Sequence, residues 1–195
     1  MAGSLLPMKA VLDVGQFVSA TIVPRGNPAQ VLLAWREGRF ELVTSPQILA
    51  DLRRVLFYPR IRKRHGFSDD EIELFVDSLS LAASLTPGEL KVEAVASDPS
   101  DDKILACAQE ARADYVVASD DHLTSLKSFS EIPIVTPRRF LEILKERDEQ
   151  AESGERWLSA SPSPSQATLY RERSPAGQAL TGGIVCQPTD SLRQD

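Results

Sequence analysis

Short apolar runs alternate with stretches of helical spacing from residue 9 to residue 147, and this alternation constrains the chain more than any other feature. Lys9-Ala-Val-Leu-Asp13 is the first apolar run, short and suited to a buried parallel strand. Further runs follow at 40–44, 115–118 and 132–135. Helical segments of about 10–15 residues separate most of them, and such spacing requires crossover connections. The expected class is α/β, with a mainly parallel central sheet.

Cap and proline signals place the helices. Asn27 ahead of Pro28 predicts an N-cap and a helix to Glu37, with Gly38 as its stop. Ser45-Pro46 repeats the device and opens a helix to about Leu56. Ser68 with Glu71 three residues on forms a capping box, so a helix over 69–83 follows. Pro87 and Gly88 break the chain, 101–112 is helical, and Thr136-Pro137 starts a last helix to about Arg147. Residues 1–7 read as a loose leader and 8–147 as the folded domain. Residues 148–195 are rich in Ser, Pro, Gln, Gly and isolated charges and read as a disordered tail. Their apolar content is too low to offset the entropy of ordering.

Composition removes several function classes. The 195 residues carry 22 Lys+Arg against 28 Asp+Glu, a net charge of -6, so the chain does not hold polyanions by bulk charge. No run of ~18 apolar residues exists to span a membrane as a helix. The two cysteines, Cys107 and Cys186, lack CxxC or Cys/His spacing, which excludes a disulfide framework and a structural zinc site. A cytoplasmic location is the expectation. Cys107 reads as small helix packing and Trp35 as core.

The acids are the chemical signal. Ligands of an open α/β sheet gather beyond the carboxyl ends of its strands. Asp13 ends the first strand, Asp120 and Asp121 follow the strand at 115–118, and Asp98, Asp101 and Asp102 sit at a helix start. Asp51 lies at the edge of the apolar face formed by Ile48, Leu49, Leu52, Val55 and Leu56. Singly each acid is explained as a cap, a turn or a response to a helix dipole. Together they repel, and a divalent cation relieves that repulsion. An all-carboxylate set suits Mg²⁺ or Mn²⁺, whose usual work is on phosphates. A basic stretch offers a track for a phosphate backbone: Arg53, Arg54, Arg60, Arg62, Lys63, Arg64 and His65, beside Phe57 and Tyr58.

Four separated segments then agree with one family. Val11-Leu-Asp13, Ser45-Pro46 with an acid five residues after the proline, Asp98-Pro-Ser-Asp-Asp-Lys-Ile-Leu-Ala106 and Ala113-Asp-Tyr-Val-Val-Ala-Ser-Asp120 resemble the PIN-domain nucleases. More narrowly they resemble the VapC-like toxins of bacterial toxin–antitoxin systems. Pro133-Ile-Val-Thr-Pro-Arg-Arg-Phe140 is similar too, and the likeness spans about 8–146. The resemblance implies a three-layer α/β/α domain and a Mg²⁺- or Mn²⁺-dependent endoribonuclease. It also implies a cognate antitoxin and a homodimer. Its metal-binding acids fall on Asp13, Asp51, Asp102 and Asp120. Asp102 is chosen over Asp101 because it directly precedes Lys-Ile-Leu-Ala. Asp98 and Asp101 then support or cap, and Ser119 orients the site. RNA contacts fall to Arg54, Arg60, Arg62, Lys63 and Arg64.

Two positions depart from the pattern. The family commonly follows its first Asp with Thr-Asn, where this chain has Val14-Gly15, and a further acid expected two residues after the fourth is His122. Loss of a supporting polar group typically costs ~10–100-fold in metal affinity or activity. The alternative reading is therefore a catalytically weak PIN fold that binds RNA or protein. A haloacid-dehalogenase-type phosphatase wants an Asp where Gly15 stands, and a receiver domain wants a late-strand Lys that is missing after Asp120.

Overall fold

The computed structural model describes residues 7–92 and 99–159. The elements run β1 (Lys9–Leu12), α1 (Val14–Ile22), α2 (Asn27–Arg36), β2 (Glu41–Thr44), α3 (Pro46–Leu56), α4 (Pro59–His65) and α5 (Asp69–Ala82). After these come β3 (Ser84–Leu85), α6 (Pro99–Ala111), β4 (Tyr115–Val117), α7 (Asp121–Ser125), β5 (Ser128–Phe129), β6 (Ile132–Val135) and α8 (Pro137–Ser159). Among the described residues, those up to Ala151 form one compact unit, and 152–159 fall to a second. The sheet has the order β3-β2-β1-β4-β6-β5. Its pairs are parallel except β5 with β6. No described helix is long and apolar enough to cross a membrane.

Strand pleating splits the interior into two cores. Ala10, Leu12, Leu42 and Val117 face a cluster with Phe17, Val18, Val31, Leu52, Leu56, Ile72, Leu79, Phe140 and Leu144. Helices α1, α2, α3, α5 and α8 therefore cover that side. Val11, Val43, Val116 and Ala118 face the other way, onto Ile104, Leu105, Cys107 and Ala108 of α6 and Leu123 of α7. Alternate side chains of one strand point to opposite faces, so the result is a three-layer α/β/α sandwich. Helix α3 straddles the layers: Leu49, Leu52 and Leu56 join the first core while Ile48 joins the second. That placement brings α3 to the same sheet edge as α6.

Local chemistry explains the helix ends. Ser45 caps α3 by accepting from the Ile48 N–H, and Ser68 and Glu71 form the expected capping box on α5. Gly38 adopts φ +76 just past α2, a left-handed turn that favours glycine. One cap is displaced. Asn27 is the first residue of α2, and Gly26 takes the cap without a side-chain bond. Pro28 suits either of the first two helical positions because the N–H it lacks has no intrahelical partner there.

Three helices lay outside the sequence reading: α1, α4 and the short α7 that Asp120 caps. The first, α1, has the poor helix former Gly15 as its second residue and carries Ser19 and Thr21, yet it forms because Asp13 caps it and Phe17 and Val18 are buried. Helix α4 is one short basic stretch between Pro59 and Gly66, and Gly66 closes it in the left-handed conformation. The last helix also runs past the expected end at Arg147 to Ser159. Half of residues 148–159 are Glu, Gln, Ala or Arg, good helix formers, and none is proline. Asp148 is moreover tied to the domain by Arg39 at 2.6 Å. The remainder of the expected tail, 160–195, and the leader residues 1–6 lie outside the described residues, as does Asp98.

Candidate active site

Strand β1 is flanked by β2 on one side and β4 on the other, so successive connections leave it in opposite directions. The crevice beyond its carboxyl end is the switch point where α/β proteins bind ligands. Asp13 stands there. Its backbone N–H continues the ladder to the Val117 carbonyl at 3.0 Å. Its carboxylate turns back to accept from the Gly15 N–H at 3.1 Å and so caps α1. A Cβ at position 15 would stand 2.9 Å from Asp13 Oδ2, so the glycine leaves the carboxylate its place. This accounts for one departure from the Thr-Asn pattern: the backbone, rather than a side chain, supports the acid.

A small pocket of about 80 Å³ opens beside Asp13, lined by Val14, Ile48, Asp51, Arg54, Val55, Asp101, Lys103 and Ile104. Three acids from three elements meet on its wall. Asp13 comes from the end of β1, Asp51 from the middle of α3 and Asp101 from the first turn of α6. Asp101 is 8% exposed, deep for a carboxylate. Asp51 is also drawn inward, with its side chain 14% exposed. It accepts from Arg54 Nη2 at 2.8 Å through one oxygen and from Lys103 Nζ through the other.

Asp102 is placed differently. It lines the neighbouring cavity of about 380 Å³ with Ser45, Gln47, Gly88, Lys91, Ala106 and Cys107. Among the two adjacent acids, the structure therefore sets Asp101, not Asp102, beside Asp13 and Asp51. The reason is helical phase. Asp101 lies three, four and seven residues before Ile104, Leu105 and Ala108, all buried, so it shares the face that packs on the sheet. Asp102 sits 100° further round. That spacing was present in the sequence, but which of these residues α6 buries was decided by packing.

Asp120 stands past the end of β4, exposed, and caps α7 by accepting from the His122 N–H at 2.7 Å. It shares the sheet edge with Asp13 but does not line the small pocket. Ser119 is joined to Gln16, whose Nε2 lies 3.1 Å from the serine Oγ. Gln16 is 2% exposed. It ties the first turn of α1 to the end of β4, and sequence reading missed it because α1 itself was missed.

The basic set divides. Arg54 faces the acidic pocket, and Arg62 is paired with Asp69 at 2.5 Å, as is Arg53 with Glu73. Arg60, Lys63 and Arg64 stand exposed on α4 and make no ion pair among the described residues. His65 is structural rather than part of a cationic track. Its Nδ1 accepts from the Phe67 N–H at 3.0 Å, which leaves Nε2 to donate to the Leu56 carbonyl at 3.1 Å. Tyr58 is exposed, whereas Phe57 packs against the core and Trp35 is partly buried there.

Cys107 is buried, and burial pushes its thiol up to about 11, only partly offset by the Thr86 hydroxyl that donates to it. A thiol that seldom ionises is a poor nucleophile. Iodoacetamide at pH 7.5 is expected to leave the Cys107 peptide unlabelled in the native protein and to label it in urea. Peptide mapping by mass spectrometry reads the difference.

The donor set suits a divalent cation in its chemistry. Its three pocket acids offer oxygen alone, the ligand type of a hard ion, in a space of roughly two to three water volumes. As arranged, no three of His, Cys, Asp and Glu among the described residues are disposed to grip an ion. The fit is therefore one of chemistry and place, with Asp51 held meanwhile by the protein's own cations.

Comparison with known proteins follows the same lines. The description "PIN domain" matches residues 9–122. The uncharacterized protein MJ1680 of Methanocaldococcus jannaschii is 26% identical over 145 residues, which cover 70% of this chain and 92% of that protein.

Proposed function

The chain belongs to the PIN domain family, a nuclease-type fold, and from that premise we propose that it is a divalent-metal-dependent endoribonuclease. The observation that carries this reading is the convergence of Asp13, Asp51 and Asp101 on one small pocket at the switch point of the sheet. These three residues would hold the cation, with Asp120 at the rim. When bound, a Mg²⁺ or Mn²⁺ ion supplies Lewis acidity, neutralising phosphate charge and acidifying water for attack on the phosphodiester.

The chain's own residues do the rest. Gly15 and Gln16 fix the two strand ends that carry Asp13 and Ser119. Arg60, Lys63 and Arg64 on α4 supply local positive charge for a phosphate backbone on a protein whose net charge is -6. Tyr58 offers an exposed ring for base stacking. The resemblance to VapC-like toxins extends the proposal to a cytoplasmic toxin, a homodimer, neutralised by an antitoxin encoded beside it. Finding a small antitoxin-like reading frame immediately upstream would support that extension, and its absence would remove it.

A labelled single-stranded RNA is expected to be cut in Mn²⁺, to survive in EDTA, and to survive incubation with Asp13→Ala in either condition. Denaturing gels read the products. RNA that binds in a gel shift yet stays intact at every metal concentration overturns the nuclease reading and leaves a binding module.

A further inference from the structure

The small pocket carries its own counter-charge, and the source of that charge is informative. Lys103 is on α6, two residues after Asp101, yet its ammonium reaches across to Asp51 on α3. It lines both the 80 Å³ pocket and the adjoining 380 Å³ cavity. The side chain is 40% exposed, against 14% for Asp51, so the lysine is the partner with freedom to leave. An ion pair with one exposed member is weak, because solvent screens it and holding the long side chain costs entropy. The adjoining cavity, lined by Ser45, Gln47 and Asp102, gives the ammonium on its flexible four-carbon stem polar groups to move toward.

Formal charge sharpens the point. Three carboxylates face two cations in the pocket wall, Arg54 and Lys103, and the excess is a single negative charge. If Lys103 swings out and a divalent ion enters, the three carboxylates are balanced by Arg54 and the two charges of the ion. Adding the ion with Lys103 in place instead leaves a net positive site and crowds two cations onto one carboxylate. Like charges at such distances repel.

We propose that Lys103 is a built-in stand-in for the metal, holding Asp51 in the ion-free protein and competing with the divalent cation for that carboxylate. This inference rests on the reading of the pocket as the metal site. Lys103 is a positioning residue here: it acts through Asp51.

Isothermal titration with Mn²⁺ on the full chain tests it, beside thermal melting in EDTA. Lys103→Met is expected to bind Mn²⁺ about fivefold more tightly than wild type, because a competing charge is gone. The same variant is expected to melt lower in EDTA, because the pocket acids lose a counter-ion, and to gain more than wild type when Mn²⁺ is added. Lys103→Arg keeps the charge and is expected to restore wild-type affinity and melting. Equal or weaker Mn²⁺ binding by a Lys103→Met protein with native circular dichroism overturns the proposal while leaving the metal site standing. Failure of both wild type and Lys103→Met to bind Mn²⁺ overturns the metal-site reading itself.

Discussion

Asp101→Asn is expected to lower Mn²⁺-dependent RNA cleavage at least about 100-fold, and Asp102→Asn to leave it within about threefold. Loss of a group that merely supports a metal ligand already costs ~10–100-fold, and loss of a carboxylate on the site wall costs no less. The two residues are adjacent, have the same side chain and occupy the same first turn of α6. They feel the same helix dipole, so dipole effects do not separate them. What separates them is direction: Asp101 shares a pocket with Asp13 and Asp51, and Asp102 faces Ser45, Gln47 and Lys91. Initial cleavage rates at saturating Mn²⁺, with circular dichroism as the folding control, read the result. The reverse ranking would falsify the assignment of the pocket.

Phe140→Ala is expected to destabilise the domain by about 3–5 kcal/mol, the usual range for truncating a fully buried Phe. Phe140 has 0% exposure at the start of α8. It meets Phe40 edge-on at 5.0 Å between ring centroids and Tyr115 at 5.8 Å. Those contacts dock α8 onto the sheet between the second and fourth strands. Aromatic pairs of this geometry contribute ~0.5–1.5 kcal/mol beyond burial. Urea unfolding reads the loss as a drop in midpoint at constant slope. Arg139→Ala is the control. Arg139 neighbours Phe140 but pairs only with exposed Glu142 and Glu146 among the described residues, so its midpoint shift is expected to be small. Equal shifts for the two variants would mean that α8 is held by its surface and not by its core face.

Much of the site was readable because its signals are local. Asp13 ends an apolar run, and Asp51 sits at the border of an apolar stripe. Both positions follow from periodicity alone, and both line the pocket. Gln16 was not readable in that way, because a Val-Gly start hides the helix that buries it. Its partner Ser119 is 103 residues away. Arg54 and His65 carry the same basic character as Arg60 and Arg64. Only packing shows that Arg54 serves Asp51 and that His65 is locked between the Leu56 carbonyl and the Phe67 N–H.

The main strands, five of the helices, several of their caps and the α/β class with a mainly parallel sheet follow from the amino-acid sequence by itself, because each depends on neighbours a few residues apart: side-chain spacing, a hydroxyl ahead of a proline, a glycine at a helix end. Which carboxylates share a pocket, and which lysine answers them, was decided only by the tertiary structure. One residue along a helix turns a side chain by 100°, and the phase of that turn is set by the face the helix buries against the sheet. Asp101 and Asp102 are interchangeable as text and distinct in space, and the burial of Ile104 and Leu105 is what makes them so.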